Sequence, residues 1–238
     1  GGPGTSGVLV FDSSLYKNTV PDQPGGGTVD WTNPWGEYKY IDDIELREDG
    51  GTPGFLQAIR TALCIGLKNK MGTQAIHQRE KELVAKAFRL FREIPRVHIL
   101  ADHEENRLGI LSFYMDHVHY NLVVKLLNDL YGVQVRGGCA CAGTYGHFLL
   151  DVSYERSKRI TDKINTGDLS EKPGWIRLSL HPTMTDAELE TVASAVREIS
   201  ARIEKYEKDY TYNPRKNEFR HFREPVDKTE RVAGWFEI

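Results

Sequence analysis

Apolar residues recur along this chain with two different periods, and the change falls near residue 95. Phe55, Ile59, Ala62, Leu63 and Leu67 recur at helical spacing. Thr52 suits an N-cap ahead of them and Pro53 the first helical position. Gly72 and Thr73 mark a break, with Thr73 a second cap. Ile76, Leu83, Ala87, Leu90 and Phe91 then predict a second helix ending near Ile94 and Pro95. Beyond it the pattern alternates. Residues 97–100 and 108–113 predict strands, 120–130 a helix, 133–135 a short strand and 175–180 another. Thr185 and Glu188 form a capping box that opens a helix through about Tyr206. Near the start, the apolar run at 7–11 predicts a buried strand, and residues 17–52 are turn-broken pieces that fit no helix. The alternation after residue 95 predicts an α+β layer with helices on one face of a sheet. Residues 209–238 are polar, aromatic and irregular in pattern.

Composition narrows the class without naming a function. The 238 residues carry 31 Lys and Arg against 34 Asp and Glu, a formal net charge of −3. That balance argues against a nucleic-acid partner, and the lack of a basic run argues against a membrane surface. Three cysteines argue against a disulfide framework and suit a reducing compartment. No secretory pattern and no long apolar stretch is present. The chain therefore reads as soluble and cytoplasmic. Cys64 falls in the first helical pattern and reads as core.

Three segments carry candidate chemistry. In RGGCACAG (136–143) two cysteines lie one residue apart in a glycine-rich turn led by Arg136. The turn has three readings: thiols that only pack, a metal site, and a reactive thiol at Cys141 or Cys139. The metal reading is weakest, because structural zinc takes four ligands and no second cysteine pair is present; no metal is expected. A nearby cation such as Arg136 raises the thiolate fraction of a thiol and so favours the third reading. Gly25-Gly26-Gly27-Thr28 is either a plain turn or a phosphate cradle of backbone N–H groups and a hydroxyl. Arg177 alternates with Ile176 and Leu178 on a predicted strand. It either pairs with a carboxylate of the fold or grips an anionic substrate with its planar fork.

Taken in chain order, these segments resemble the class V aminotransferase and cysteine desulfurase group of pyridoxal-phosphate enzymes. GGPGTSGVLV (1–10) resembles the segment just after the cofactor lysine. PGGGTV (24–29) resembles the loop that reaches the partner subunit's cofactor phosphate, which makes Gly27 and Thr28 the implied cofactor contacts. The stretch 48–53 resembles the lead into the long interdomain helix. VRGGCACAG (135–143) resembles the loop bearing the substrate-attacking cysteine, with Cys141 at the matching position. WIRLSL (175–180) resembles the strand whose arginine holds the substrate carboxylate, which implies that role for Arg177, with Arg136 beside it.

The resemblance implies a fold and an activity. It also implies that the chain departs from the family in one respect: it begins in the turn that follows the cofactor lysine. Lys17, Lys39, Lys68 and Lys70 match no family lysine. The chain is therefore expected to be the C-terminal part of such an enzyme, inactive alone. A remnant of the large domain would span 1–52, the small C-terminal domain 53–208, and a tail 209–238. The parent is expected to be a homodimer that removes sulfur from an amino acid and passes it to an acceptor protein. Such a piece should also expose apolar surface and self-associate. An aminotransferase or lyase with incidental cysteines, and a non-catalytic interaction domain, are the competing readings.

Overall fold

The computed structural model describes residues 3–139, 142–224 and 234–236. Two compact units divide the chain, Gly1–Thr73 and Gln74–Ile238.

The first unit is organised by hydrogen bonds more than by apolar packing. Strands β1 (Val29–Thr32) and β2 (Tyr38–Tyr40) form an antiparallel hairpin. Its turn is set by Asn33, whose side-chain oxygen accepts from the N–H groups of Trp35 and Glu37. Helix α1 (Ile44–Glu48) follows, capped by Asp43, whose carboxylate accepts from the Leu46 N–H at 3.0 Å. Arg47 on this helix is buried. Its guanidinium donates to the carbonyls of Ile41, Asp42 and Asn18 and lies over the Tyr16 ring. Helix α2 (Phe55–Met71) closes the unit, with Gly54 rather than Thr52 at its N-cap.

Three expectations for this unit change. Residues 7–11 are not a strand, and Leu9 and Val10 are 84% and 88% exposed. An apolar run becomes a strand only when a neighbour satisfies its backbone, and no described strand pairs with it. The region 17–52 holds a helix after all; five residues are too few to display a period. Cys64 is only half-buried, and no residue of α2 is buried.

The second unit contains the hydrophobic core. Four strands, β3 (Val97–Ile99), β4 (Ile110–Met115), β5 (Arg136–Gly138) and β6 (Trp175–Ser179), lie in the order β3-β4-β6-β5, all antiparallel. Leu111, Phe113 and Met115 of β4 and Ile176 and Leu178 of β6 face the core. Helices α3 (Thr73–Arg92), α4 (Tyr120–Tyr131) and α7 (Asp186–Tyr206) supply the rest, through residues such as Phe88, Phe91, Leu126, Leu127 and Ile199. This is the α+β arrangement expected, with the main helices on one face. The capping box of α7 is present in both directions, Thr185 to Glu188 and back.

Two short helices, α5 (Gly143–Leu149) and α6 (Tyr154–Asn165), lie between the cysteine turn and β6, where no element was predicted. Helix α5 lies over Trp175, a residue that points away from the core face. A Cβ on Gly146 would stand 3.1 Å from the Trp175 ring, so glycine lets the helix approach without displacing that ring. The strands begin later than the pattern implied, at Ile110 and Arg136, because pairing and not apolar content sets their limits. The tail also departs from expectation: Tyr210–Asn213 (β7) and Glu218–His221 (β8) form an antiparallel hairpin.

Candidate functional site

Sheet register brings the two predicted arginines together. Arg136 on β5 lies directly opposite Arg177 on β6, and Ser112 on β4 lies opposite Arg177 on its other side. All three are on the face away from the core. The Nε of Arg177 is buried and has no hydrogen-bond partner among the described residues. A buried donor without a partner is costly. The site is therefore suited to a carboxylate or another small oxyanion.

The cysteine turn leaves the end of β5. Gly138 has φ +111°, a backbone conformation open to glycine and closed to most side chains. Cys139 follows, half-buried, with its thiol donating to the Pro173 carbonyl at 2.8 Å. Burial pushes this thiol's pKa up, and the charge of Lys172 only partly opposes that. A protonated thiol held by a carbonyl is a poor nucleophile at neutral pH. The Ala142 N–H donates to the Cys139 carbonyl at 2.9 Å. Cys141, the residue matched to the sulfur-carrying position, lies outside the described residues.

Gly27 and Thr28 belong to the first unit. Gly27 has φ +85°, and the space beside Gly26 and Gly27 is open. The Thr28 side chain is buried, and its hydroxyl donates to the Gly25 carbonyl at 2.7 Å. That hydroxyl has no second proton for a phosphate. The loop thus suits a phosphate through the backbone of its glycines, with Thr28 bracing the turn from within. It is also fixed from below: Gly51 N–H donates to the Gly26 carbonyl at 2.8 Å, and a Cβ on Gly50 would stand 2.7 Å from the Gln23 carbonyl.

Sequence reasoning missed the surroundings of the cysteine turn. Tyr120, at the start of α4, is buried. Its ring occupies the space that a Cβ would need at Gly174 (2.5 Å) and at Gly137 (3.0 Å). These two glycines flank Cys139 on the strand before it and beside its carbonyl acceptor. His119 caps α4, its Nδ1 accepting from the Asn121 N–H at 3.1 Å. The His119 ring sits among Tyr120, Tyr212 and Phe219, with centroids 4.5, 5.0 and 5.3 Å away. Its Nε2 is buried without a partner among the described residues, and burial pushes its pKa down. The alternating aromatics around the Asn-Pro turn at 210–219 were a legible hairpin signal. Where that hairpin docks was not.

Among the described residues no group of three His, Cys, Asp or Glu side chains could hold a metal ion, and no helix is long and apolar enough to cross a membrane.

The chain is similar to known proteins in sequence and in fold. The family model described as aminotransferase class-V matches residues 1–192. A probable cysteine desulfurase from Staphylococcus epidermidis is 32% identical over 141 residues, which are 59% of this chain and 33% of that protein. The chain spans about a third of the length of the curated relatives it matches. Among solved structures, the apo cysteine desulfurase from Thermococcus onnurineus superposes with a TM-score of 0.59 at 25% identity, over 76% of this chain and 39% of that one. A cysteine desulfurase from Escherichia coli shares the fold, with a TM-score of 0.53 at 20% identity, over 77% of this chain and 39% of that one.

Proposed function

The chain belongs to the class V aminotransferase family, and on that premise we propose that it is part of a pyridoxal-phosphate-dependent cysteine desulfurase or selenocysteine lyase. One observation supports this reading above the others. Arg177 presents a buried Nε without a described partner, opposite Arg136, on the strands that lead into and lie beside the cysteine turn. A carboxylate clamp and a thiol-bearing loop on adjacent strands are what removal of sulfur from an amino acid needs.

Within this reading Arg177 holds the substrate carboxylate with its fork, and Arg136 adds positive charge across the strand pair. Charge fixed at the carboxylate orients the substrate sulfur toward the loop. The Cys141 thiolate attacks that sulfur. An S–S bond forms on Cys141 while the substrate's C–S bond breaks, its electron pair leaving with carbon, which takes up a proton to give alanine. Cys141 is left as a persulfide, from which an acceptor protein takes the outer sulfur. When bound, pyridoxal phosphate supplies the electron sink that makes the carbon fragment accessible. In this chain the backbone of Gly27, braced by Thr28, would face the cofactor phosphate of a partner subunit in a homodimer. Cys139, held as a thiol by Pro173, has no part in the transfer. The setting is cytoplasmic, where thiols stay reduced.

The decisive experiment uses the complete polypeptide loaded with pyridoxal phosphate. Cys141→Ser should abolish sulfide release from cysteine. Arg177→Ala should raise KM for cysteine by about tenfold or more, as expected for losing a charge-assisted clamp. Normal turnover in Cys141→Ser would sink the desulfurase reading and leave the family assignment standing.

A further inference from the structure

The hairpin β7–β8 lies beyond residues 1–192, which the family model matches, yet it reaches the cysteine turn through one residue. Asn217 sits between β7 and β8 with φ +55°, a left-handed conformation that asparagine tolerates better than most residues. Its side-chain amide donates to the Tyr120 hydroxyl at 2.7 Å and accepts from the Tyr212 hydroxyl at 2.9 Å. Its backbone carbonyl accepts from the Asn121 side chain at 2.5 Å. The Asn121 side-chain oxygen in turn occupies the space that a Cβ on Gly137 would need, 2.6 Å away. Further contacts hold the hairpin in place: Tyr210 donates to Asp129 at 3.0 Å, Lys125 pairs with Glu224 at 3.0 Å, and Leu169 N–H donates to the Pro214 carbonyl at 2.9 Å.

We propose that Asn217 is a positioning residue for the cysteine turn, acting through Tyr120. The amide fixes the tilt of the Tyr120 ring. That ring is the surface on which Gly137, leading into the turn, and Gly174, beside the Pro173 carbonyl that holds Cys139, both rest. Glycine at both places means that no side chain buffers the contact, so a small shift of the ring moves the backbone on both sides of the turn. The hairpin thereby sets how tightly the thiol segment is held.

This role rests on the turn being the sulfur-carrying segment, but its test reads thiol access and not sulfur release, so the two can fail separately. The measurement is the rate at which Cys139 reacts with 5,5′-dithiobis(2-nitrobenzoate) in the full chain with Cys64→Ser and Cys141→Ser. Asn217→Gly keeps the left-handed backbone and removes the amide. It should speed the reaction by about five- to tenfold, the release expected from one lost hydrogen bond in a locally opening segment. Tyr120→Phe removes the other end of that bond and leaves the one from Tyr212, so it should also speed the reaction, and the double variant should add nothing beyond Asn217→Gly. Asn217→Asp, which accepts from both hydroxyls, should restore the slow rate. If Asn217→Gly unfolds, Tyr120→Phe, which keeps the ring, carries the test. A lower melting temperature with an unchanged Cys139 rate in these variants would reduce the hairpin to a stabilising appendage and overturn the proposal.

Discussion

The two units of this chain are held together by different means. In the second, helices and sheet bury a continuous apolar core, with Phe91 and Phe113 packed edge to face at 5.1 Å between ring centroids. In the first, the buried side chains among the described residues, besides Pro21, are Thr28 and Arg47, and both make hydrogen bonds to backbone carbonyls. Its apolar side chains are outside: Leu56, Ile59, Leu63 and Leu67 form a stripe along α2 that stays exposed. The sequence pattern predicts a helix at α2 as it does at α3. Periodicity reports that a face can be buried; it does not report that anything buries it.

The difference can be tested by substitution. Phe113→Ala removes a fully buried ring and its partner contact with Phe91. It should cost the second unit about 3–5 kcal/mol, read as a lower denaturant midpoint. Arg47→Met should act next most strongly, and on the first unit alone. It leaves the carbonyls of Ile41, Asp42 and Asn18 without their donor, a loss of about 2 kcal/mol read as faster amide exchange in the β1–β2 hairpin. Exchange that accelerated equally across the second unit would show that the two are one cooperative system. The smallest effect is expected at Leu63→Ser, since Leu63 is 68% exposed. It should change stability by no more than about 0.5 kcal/mol. A loss well above that would show that the α2 stripe is covered in solution, as self-association would require, and sedimentation velocity on the same variant would identify the cause.

Much of the architecture was legible beforehand. The α7 capping box, the β6 strand and the two long helices near its start were readable because each is a local matter of period and cap chemistry. The strand expected at 7–11 fails for want of a described partner strand, and the tail forms a hairpin whose aromatics alternate around an Asn-Pro turn. For the site, the sequence singled out Arg136, Arg177 and the cysteine turn as separate candidates. It could not rank Cys139 against Cys141 on chemistry. The hydrogen bond from Cys139 to Pro173 and the burial of that thiol do part of that work.

By itself the sequence determined that the four long periodic segments are helical, that Thr185 and Glu188 cap the last of them, and to which family the chain points. These are properties of neighbours within a few residues, where backbone geometry converts spacing into a shared face. Only the tertiary structure decided that Arg136 stands opposite Arg177 and that Asn217 reaches Tyr120 across 97 residues of chain. Strand order and register set those distances, and they follow from how the whole core packs, not from any local run of residues.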